Sequence, residues 1–238
     1  MDKKTTTVLF DLDGTLLPMD EIYFSKLYFA AMAKKLAPYG YEAKSLVAAV
    51  RSGVIAMVSN DGSDFNKNKF WKAFADVLGE EKLNDMPLFE EFYKTDFVAA
   101  KESCGFNPKA KETVDYIKSK GYRVSLATNP IFPSIATERR IKWAGLDKSD
   151  FEIFTTYENY HYCKPKTEYY TEICENLAVD PKNCLMVGND ATEDMVAEKL
   201  GMKVFLLTDC LINTHGVDIS KYHKGNFDDL KKYIDTLD

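Results

Sequence analysis

The sequence predicts an α/β protein, a doubly wound parallel sheet with an inserted, all-helical block. Three observations carry this reading. Four short runs, TTTVLF (5–10), YRVSLAT (122–128), KNCLMVG (182–188) and KVFLLT (203–208), lack a clean in–out alternation, as strands do when helices cover both sheet faces. Helix-length segments separate the later strands, which makes βαβ units. The alternation fails once, between Pro18 and Cys104, where no run reads as a strand.

In chain order, Thr5 to Phe10 forms the first strand, apolar and β-branched. The block that follows reads as four helices, Glu21–Ala37 (stopped at Pro38-Tyr39-Gly40), Ala43–Val58, Lys67–Leu78 and Leu88–Ser103. Residues 18–103 are therefore expected as one helical domain, and residues 1–17 with 104–238 as the core. Asn107-Pro108 places an N-cap before a proline at the first helical position, and Lys120-Gly121 closes that helix. After the second strand comes a helix from Ser134 to Ala144, ended by Gly145. FEIFTT (151–156) is expected as a fifth strand, followed by a helix from Thr167 to Leu177 with its apolar residues on one side. A helix from Thr192 to Leu200, ended by Gly201, joins the last two strands.

Composition narrows the function. The chain has 238 residues, 45% hydrophobic and 29% charged, with a net charge of −6. That is enough for one large domain, or a domain with a smaller partner, built on an ordinary core. The negative charge and the scattered lysines argue against a nucleic-acid surface. No stretch approaches the length of a membrane span, and MDKKTTT carries no apolar segment of a secretion signal. Five cysteines without a C-x-x-C pair read as reduced structural thiols and predict a cytoplasmic protein.

The chemistry begins at Asp11 and Asp13. Aspartate is a poor strand residue and is costly to bury unless paired or bound to a metal. Two residues apart on an extended chain, both face one pocket while Leu12 turns away. Gly14 lets the backbone approach a ligand. Ligands of open α/β sheets bind beyond the carboxyl ends of the strands, and three more polar clusters fall there. These are Thr128-Asn129, then Tyr157-Glu158 with Lys164-Pro165, then Gly188-Asn189-Asp190 with Asp194. Several carboxylate oxygens suit Mg²⁺, which shares phosphate oxygens; the lysine and hydroxyl answer to the phosphate itself.

The ordered set Asp11-Leu12-Asp13-Gly14-Thr15, Thr128-Asn129, Lys164-Pro165 and Gly188-Asn189-Asp190 with Asp194 resembles the haloacid dehalogenase superfamily over residues 5–17 and 105–210. The resemblance implies a Rossmann-like core and, from the position of the insert, a helical cap over 18–103. It also implies a Mg²⁺-dependent phosphatase that hydrolyses a small phosphorylated metabolite through an aspartyl-phosphate. Asp11 would be the nucleophile and Asp13 the general acid, then base. Asp11, the main-chain carbonyl of Asp13, and Asp190 would hold Mg²⁺. Thr128 and Lys164 would bind the phosphoryl group with Asn129 in support. Where many members have Gly-Asp, this chain has Gly188-Asn189-Asp190. Asp190 is ranked above Asp194 as the ligand, with the Asn189 carbonyl as a further candidate.

The chemistry is consistent on its own terms: a carboxylate attacking a phosphate dianion needs a cation and an ammonium to offset repulsion. The rival readings are a phosphomutase on the same site, a 2-haloacid dehalogenase and a non-catalytic binding protein. Asp13 with Asp190 and Asp194 argues against the dehalogenase. Within the insert, Tyr23, Phe24, Tyr28, Phe65, Phe70, Trp71 and Phe74 read mostly as bundle core, with Arg51 and Lys67 as candidates to face substrate. His161, His215 and His223 show no metal or triad spacing and are expected on the surface.

Overall fold

A computed structural model describes residues 5–237. Five parallel strands form one sheet in the order β2-β1-β3-β4-β5. They are β1 (Thr7–Phe10), β2 (Arg123–Leu126), β3 (Cys184–Gly188), β4 (Lys203–Leu207) and β5 (His223–Gly225). All four residues of β1 are buried, because their neighbours face opposite layers. Val8 and Phe10 pack with Val114, Ile117 and Phe227, whereas Leu9 packs with Met186, Tyr169 and Tyr170.

The register sets the site. Phe10 pairs with Leu126 on one side and Val187 on the other, so three strands end level. The Asp11 amide donates to the Val187 carbonyl at 2.9 Å and the Ala127 amide to the Phe10 carbonyl at 2.6 Å. The residues that follow, Asp11, Thr128 and Asn189, therefore leave the sheet side by side.

Eight α-helices accompany the strands among the described residues. Four follow β1: α1 (Glu21–Leu36), α2 (Ala43–Val58), α3 (Asn66–Leu78) and α4 (Met86–Thr95). Helix α1 shows why they form. Asp20 caps it by accepting from the Tyr23 amide at 2.9 Å, and Phe24, Tyr28, Met32 and Leu36 recur every fourth residue as its buried stripe. Where the segment leaves and rejoins the core, the chains lie antiparallel: Asp20 N donates to Ser103 O and Gly105 N to Pro18 O, at 3.1 and 2.7 Å. The remaining helices are α5 (Pro108–Ser119), α6 (Ser134–Trp143), α7 (Thr167–Asn176) and α8 (Phe227–Asp235).

Several expected elements differ. Segment 151–156 is not a ladder strand. It runs beside β2 with three backbone hydrogen bonds, from Leu126 N to Ile153 O, Glu152 N to Val124 O and Thr155 N to Leu126 O, but forms one bridge, at Phe154. The fifth strand is instead β5, whose HKG sequence carries no apolar signal because it pairs through backbone at an exposed edge. The expected helix 88–103 is α4 followed by a tighter 3₁₀ segment from Asp96 to Ser103. Residues 192–200 are not an α-helix either: Asp190 caps a turn there, and a 3₁₀ segment covers Met195–Leu200.

Candidate active site

Residues after β1 turn sharply. The Thr15 and Leu17 amides both donate to the Leu12 carbonyl, at 3.2 and 2.8 Å. Leu12 is fully buried and anchors the turn in the core. Gly14 has φ of +78°, and a Cβ there would lie 2.3 Å from Asn189 Nδ2. Only glycine fits both the left-handed backbone and that approach. Thr15 Oγ1 lies 3.0 Å from Asp11 Oδ2 and 2.9 Å from Asn189 Oδ1, tying the first loop to the loop after β3.

Lys164 is the buried cation of the site. Its Nζ donates to Asp11 Oδ1 at 2.8 Å and to Asp194 Oδ1 at 2.6 Å, with the lysine side chain 1% exposed. Burial opposes its charge, but the Asp11 and Asp194 carboxylates outweigh it and hold the ammonium well above the usual lysine range. Burial in turn raises the Asp194 carboxyl, with Lys164 pulling against it. Both Asp194 oxygens are engaged, since Oδ2 accepts from the Asp190 amide at 2.9 Å. A Cβ at residue 188 would lie 2.1 Å from that oxygen, so Gly188 makes room for Asp194.

Asp13 is held by a residue that the sequence reading did not single out. Arg140 of α6, buried on the helix face with Ala136 and Thr137, donates from Nη1 to Asp13 Oδ2. Its guanidinium also lies 4.4 Å from the centre of the Phe132 ring. Burial raises the Asp13 carboxyl above its ordinary range; Arg140 lowers it, Asp11 raises it further, and the net shift is upward. Asp13 Oδ1 is buried without a hydrogen-bond partner among the described residues. Arg140 was legible only as a charge on the buried side of a helix.

The other loops complete the rim. The Thr128 carbonyl accepts from Tyr169 OH at 2.7 Å and from Thr155 Oγ1, fixing the loop after β2. Asn129 Nδ2 donates to Glu193 Oε2 at 3.3 Å. Burial pushes the Glu193 carboxyl up to about 7. Asp190 Oδ1 accepts from the Thr192 and Glu193 amides, at 2.6 and 2.8 Å.

Asp11, Asp13, Thr128, Asn129, Lys164, Asp190 and Asp194 all line one cavity of about 610 Å³. Its other walls are mainly aromatic and aliphatic and come largely from α1 to α4. Arg51 reaches its rim, whereas Lys67 lines a separate, smaller cavity. Of the aromatic residues expected in the helical block, Phe24, Tyr28, Phe70, Trp71 and Phe74 are buried, while Phe65 is exposed. His161 is half-buried, with Nδ1 2.6 Å from Glu172 Oε1, and is remote from this cavity's lining.

Among the described residues no three His, Cys, Asp or Glu side chains gather into a cage for a metal. The donor set nevertheless fits Mg²⁺, which takes one or two carboxylates and completes its shell with water and phosphate oxygens. Asp11 and Asp190 both line the cavity, the Asp11 oxygens facing Lys164 and the Thr15 hydroxyl, and Asp190 Oδ1 facing two backbone amides. The Asp194 oxygens face Lys164 and a backbone amide, and Asp13 faces Arg140.

A parallel sheet in which an interior strand ends in a lysine-held carboxylate defines an α/β enzyme acting at its strand ends. The chain belongs to the haloacid dehalogenase-like hydrolases, whose family model matches residues 5–201. It is similar to the pyrophosphatase PpaX of Bacillus cereus, at 26% identity over 84% of this chain and 82% of the relative. Among solved structures, a HAD phosphatase from Thermococcus onnurineus superposes with a TM-score of 0.58 at 20% identity, over 97% of this chain and 98% of that one. A dehalogenase captured with an intermediate complex superposes with a TM-score of 0.54 at 19% identity, covering 98% of each chain. At these identities the structures establish the shared fold.

Proposed function

We propose that this hydrolase is a Mg²⁺-dependent phosphatase that cleaves a small phosphorylated metabolite through an aspartyl-phosphate on Asp11. The observation that carries the reading is the opposed holding of the two acids: Lys164 on Asp11, Arg140 on Asp13. Bound Mg²⁺, held by Asp11 and Asp190 with the main-chain carbonyl of Asp13, would offset the charge of the phosphoryl oxygens. Thr128 and Lys164 orient that group, with Asn129 supporting the loop.

Asp11 attacks phosphorus while the bond to the leaving oxygen breaks, and Asp13 hands its proton to that oxygen. Oδ1 is the natural seat of that proton, since Arg140 takes Oδ2. Water then attacks the phosphorus of the aspartyl-phosphate as Asp13 takes its proton. Phosphate leaves and Asp11 is restored. A dehalogenase acting through Asp11 needs no such proton donor, so the Asp13–Arg140 pair favours phosphoryl transfer. Residues 18–103 serve as a cap that limits water and chooses the leaving group. Five free thiols suit the reducing cytoplasm as its setting.

The test is phosphate release from a panel of phosphorylated metabolites with Mg²⁺, using Asp11→Asn as control. Turnover by the wild type alone supports the mechanism, and equal turnover by Asp11→Asn overturns it.

A further inference from the structure

Beyond the acids, the cavity changes character. Its walls from α1 to α4 carry Phe24, Phe29, Val54, Phe70, Trp71 and Phe89. Apart from tyrosine hydroxyls, the polar side chains lining it from residues 18–103 are Glu21, Ser25 and Arg51, all solvent-exposed, and the Trp71 indole N–H, which is buried without a hydrogen-bond partner among the described residues. Deeper hydroxyls are already matched: Tyr28 OH and Tyr93 OH lie 2.8 Å apart and bond each other. The buried cation of α6, Arg140, is turned to Asp13 and Phe132.

From this we infer that the leaving group of the substrate is uncharged and bears an aromatic or comparably broad apolar ring, which lies in this chamber while its phosphoryl group meets Asp11. The inference rests on the phosphatase reading above. A second phosphate or a carboxylate in the chamber would lose its water and find no buried cation beyond Lys164, which Asp11 and Asp194 already engage, a steep penalty. A ring gains from leaving water and from offset or edge contact with the aromatic walls. The cavity, about 610 Å³, is of the size that takes a whole metabolite rather than a bare anion. Inorganic pyrophosphate, the substrate in the name of the PpaX relatives, is thereby disfavoured.

The experiment compares esters whose leaving alcohols are similarly acidic, so that ring and chemistry are not confounded. With Mg²⁺, 2-(2-naphthyl)ethyl phosphate, ethyl phosphate and pyrophosphate are assayed for kcat/KM. In parallel, binding of the product alcohol, 2-naphthylethanol, is followed by calorimetry. Burial of roughly 100 Å² of apolar surface should favour the naphthyl ester over ethyl phosphate by on the order of fiftyfold. The Val54→Asp variant should reduce that ratio more than tenfold and weaken binding of the alcohol. Equal kcat/KM for the two esters without alcohol binding, or pyrophosphate as the better substrate, overturns the inference and leaves the phosphatase reading standing. Binding of the alcohol by a protein that hydrolyses no ester upholds the chamber's preference and overturns the phosphatase reading.

Discussion

Arg140 and Asp13 lie 127 residues apart in sequence and are bonded through Nη1 and Oδ2 at the centre of the site. An arginine beside a carboxyl ordinarily favours its anion, yet burial prevails here and the acid stays raised. The pair thus fixes the direction of Asp13 while burial holds its carboxyl above the ordinary carboxylate range. Arg140→Met should lower kcat by on the order of a hundredfold through misplacement of Asp13. Losing one partner of a buried pair should also lower Tm by roughly 5–10 °C. Arg140→Lys should recover part of kcat. In the double variant with Asp13→Asn the two kcat losses should not add, and full additivity would refute the coupling.

The two acids should be distinguishable by leaving group. Asp11→Asn should abolish turnover of every ester. Asp13→Asn should retain a competent nucleophile and lose least on aryl phosphates, whose leaving oxygen needs little protonation. Equal impairment on alkyl and aryl phosphates would show that Asp13 is not the proton donor.

Metal dependence should separate Asp190 from Asp194. EDTA should abolish activity, Mg²⁺ restore it and Ca²⁺ fail, because calcium prefers longer bonds and more ligands. Asp190→Ala should raise the Mg²⁺ concentration needed for half-maximal activity more than tenfold. Asp194→Ala should instead show its effect in metal-free protein, as a lower Tm, since it strips Lys164 of a partner at 2.6 Å. The reverse pattern would make Asp194 the ligand.

Two glycines should resist even alanine. At Gly188 a methyl group meets Asp194 Oδ2 at 2.1 Å; at Gly14 it meets Asn189 Nδ2 at 2.3 Å and also strains a φ of +78°. Gly14→Ala should therefore cost stability by about 1–2 kcal/mol from backbone strain alone, measured by urea denaturation. Gly188→Ala should reduce activity more than stability, since the atom it displaces holds Lys164 through the same carboxylate.

Thiol reactivity should follow burial. Burial pushes the Cys163 thiol up to about 12. At pH 8 its thiolate fraction is then lower than that of an ordinary cysteine by roughly a thousandfold. Iodoacetamide should label half-buried Cys210 first and leave Cys163 unmodified until the protein unfolds, as read by peptide mass spectrometry. Because the folded value is raised, labelling of Cys163 in the native state should begin only as pH climbs towards that value.

What was legible in the sequence was whatever burial writes as composition. Strands β1 to β4 are apolar because both faces are covered. The acids, Thr128 and Lys164 stand out because polar residues follow such strands. Strand β5 and the flanking segment at 151–156 were misread for the opposite reason. An edge strand is specified by backbone pairing, which His223-Lys224-Gly225 achieves without an apolar side chain, whereas FEIFTT looks like a strand and makes one bridge. Helix α8 carried a readable signal, the reciprocal capping of Asn226 and Asp229, in a segment otherwise rich in charge. Arg140 was hidden because a helix places its side chains by geometry, and its partner lies 127 residues away in the sequence. The bonding of both Asp194 oxygens, to Lys164 and to the Asp190 amide, was invisible until the fold set Lys164 between Asp194 and Asp11.

The interior position of β1 has a consequence for how the chain is made. The strand is synthesised first but lies between β2 and β3, so Phe10 must wait for Leu126 and then for Val187. At about 5–20 residues per second, Val187 follows Phe10 out of the ribosome by roughly 9–35 s. For that interval β1, whose residues are all buried in the fold, has a free edge, the form most open to pairing with another chain. Helices α1 to α4 are made within it. The strand that carries Asp11 thus waits through the making of the whole helical block before either neighbour can pair with it.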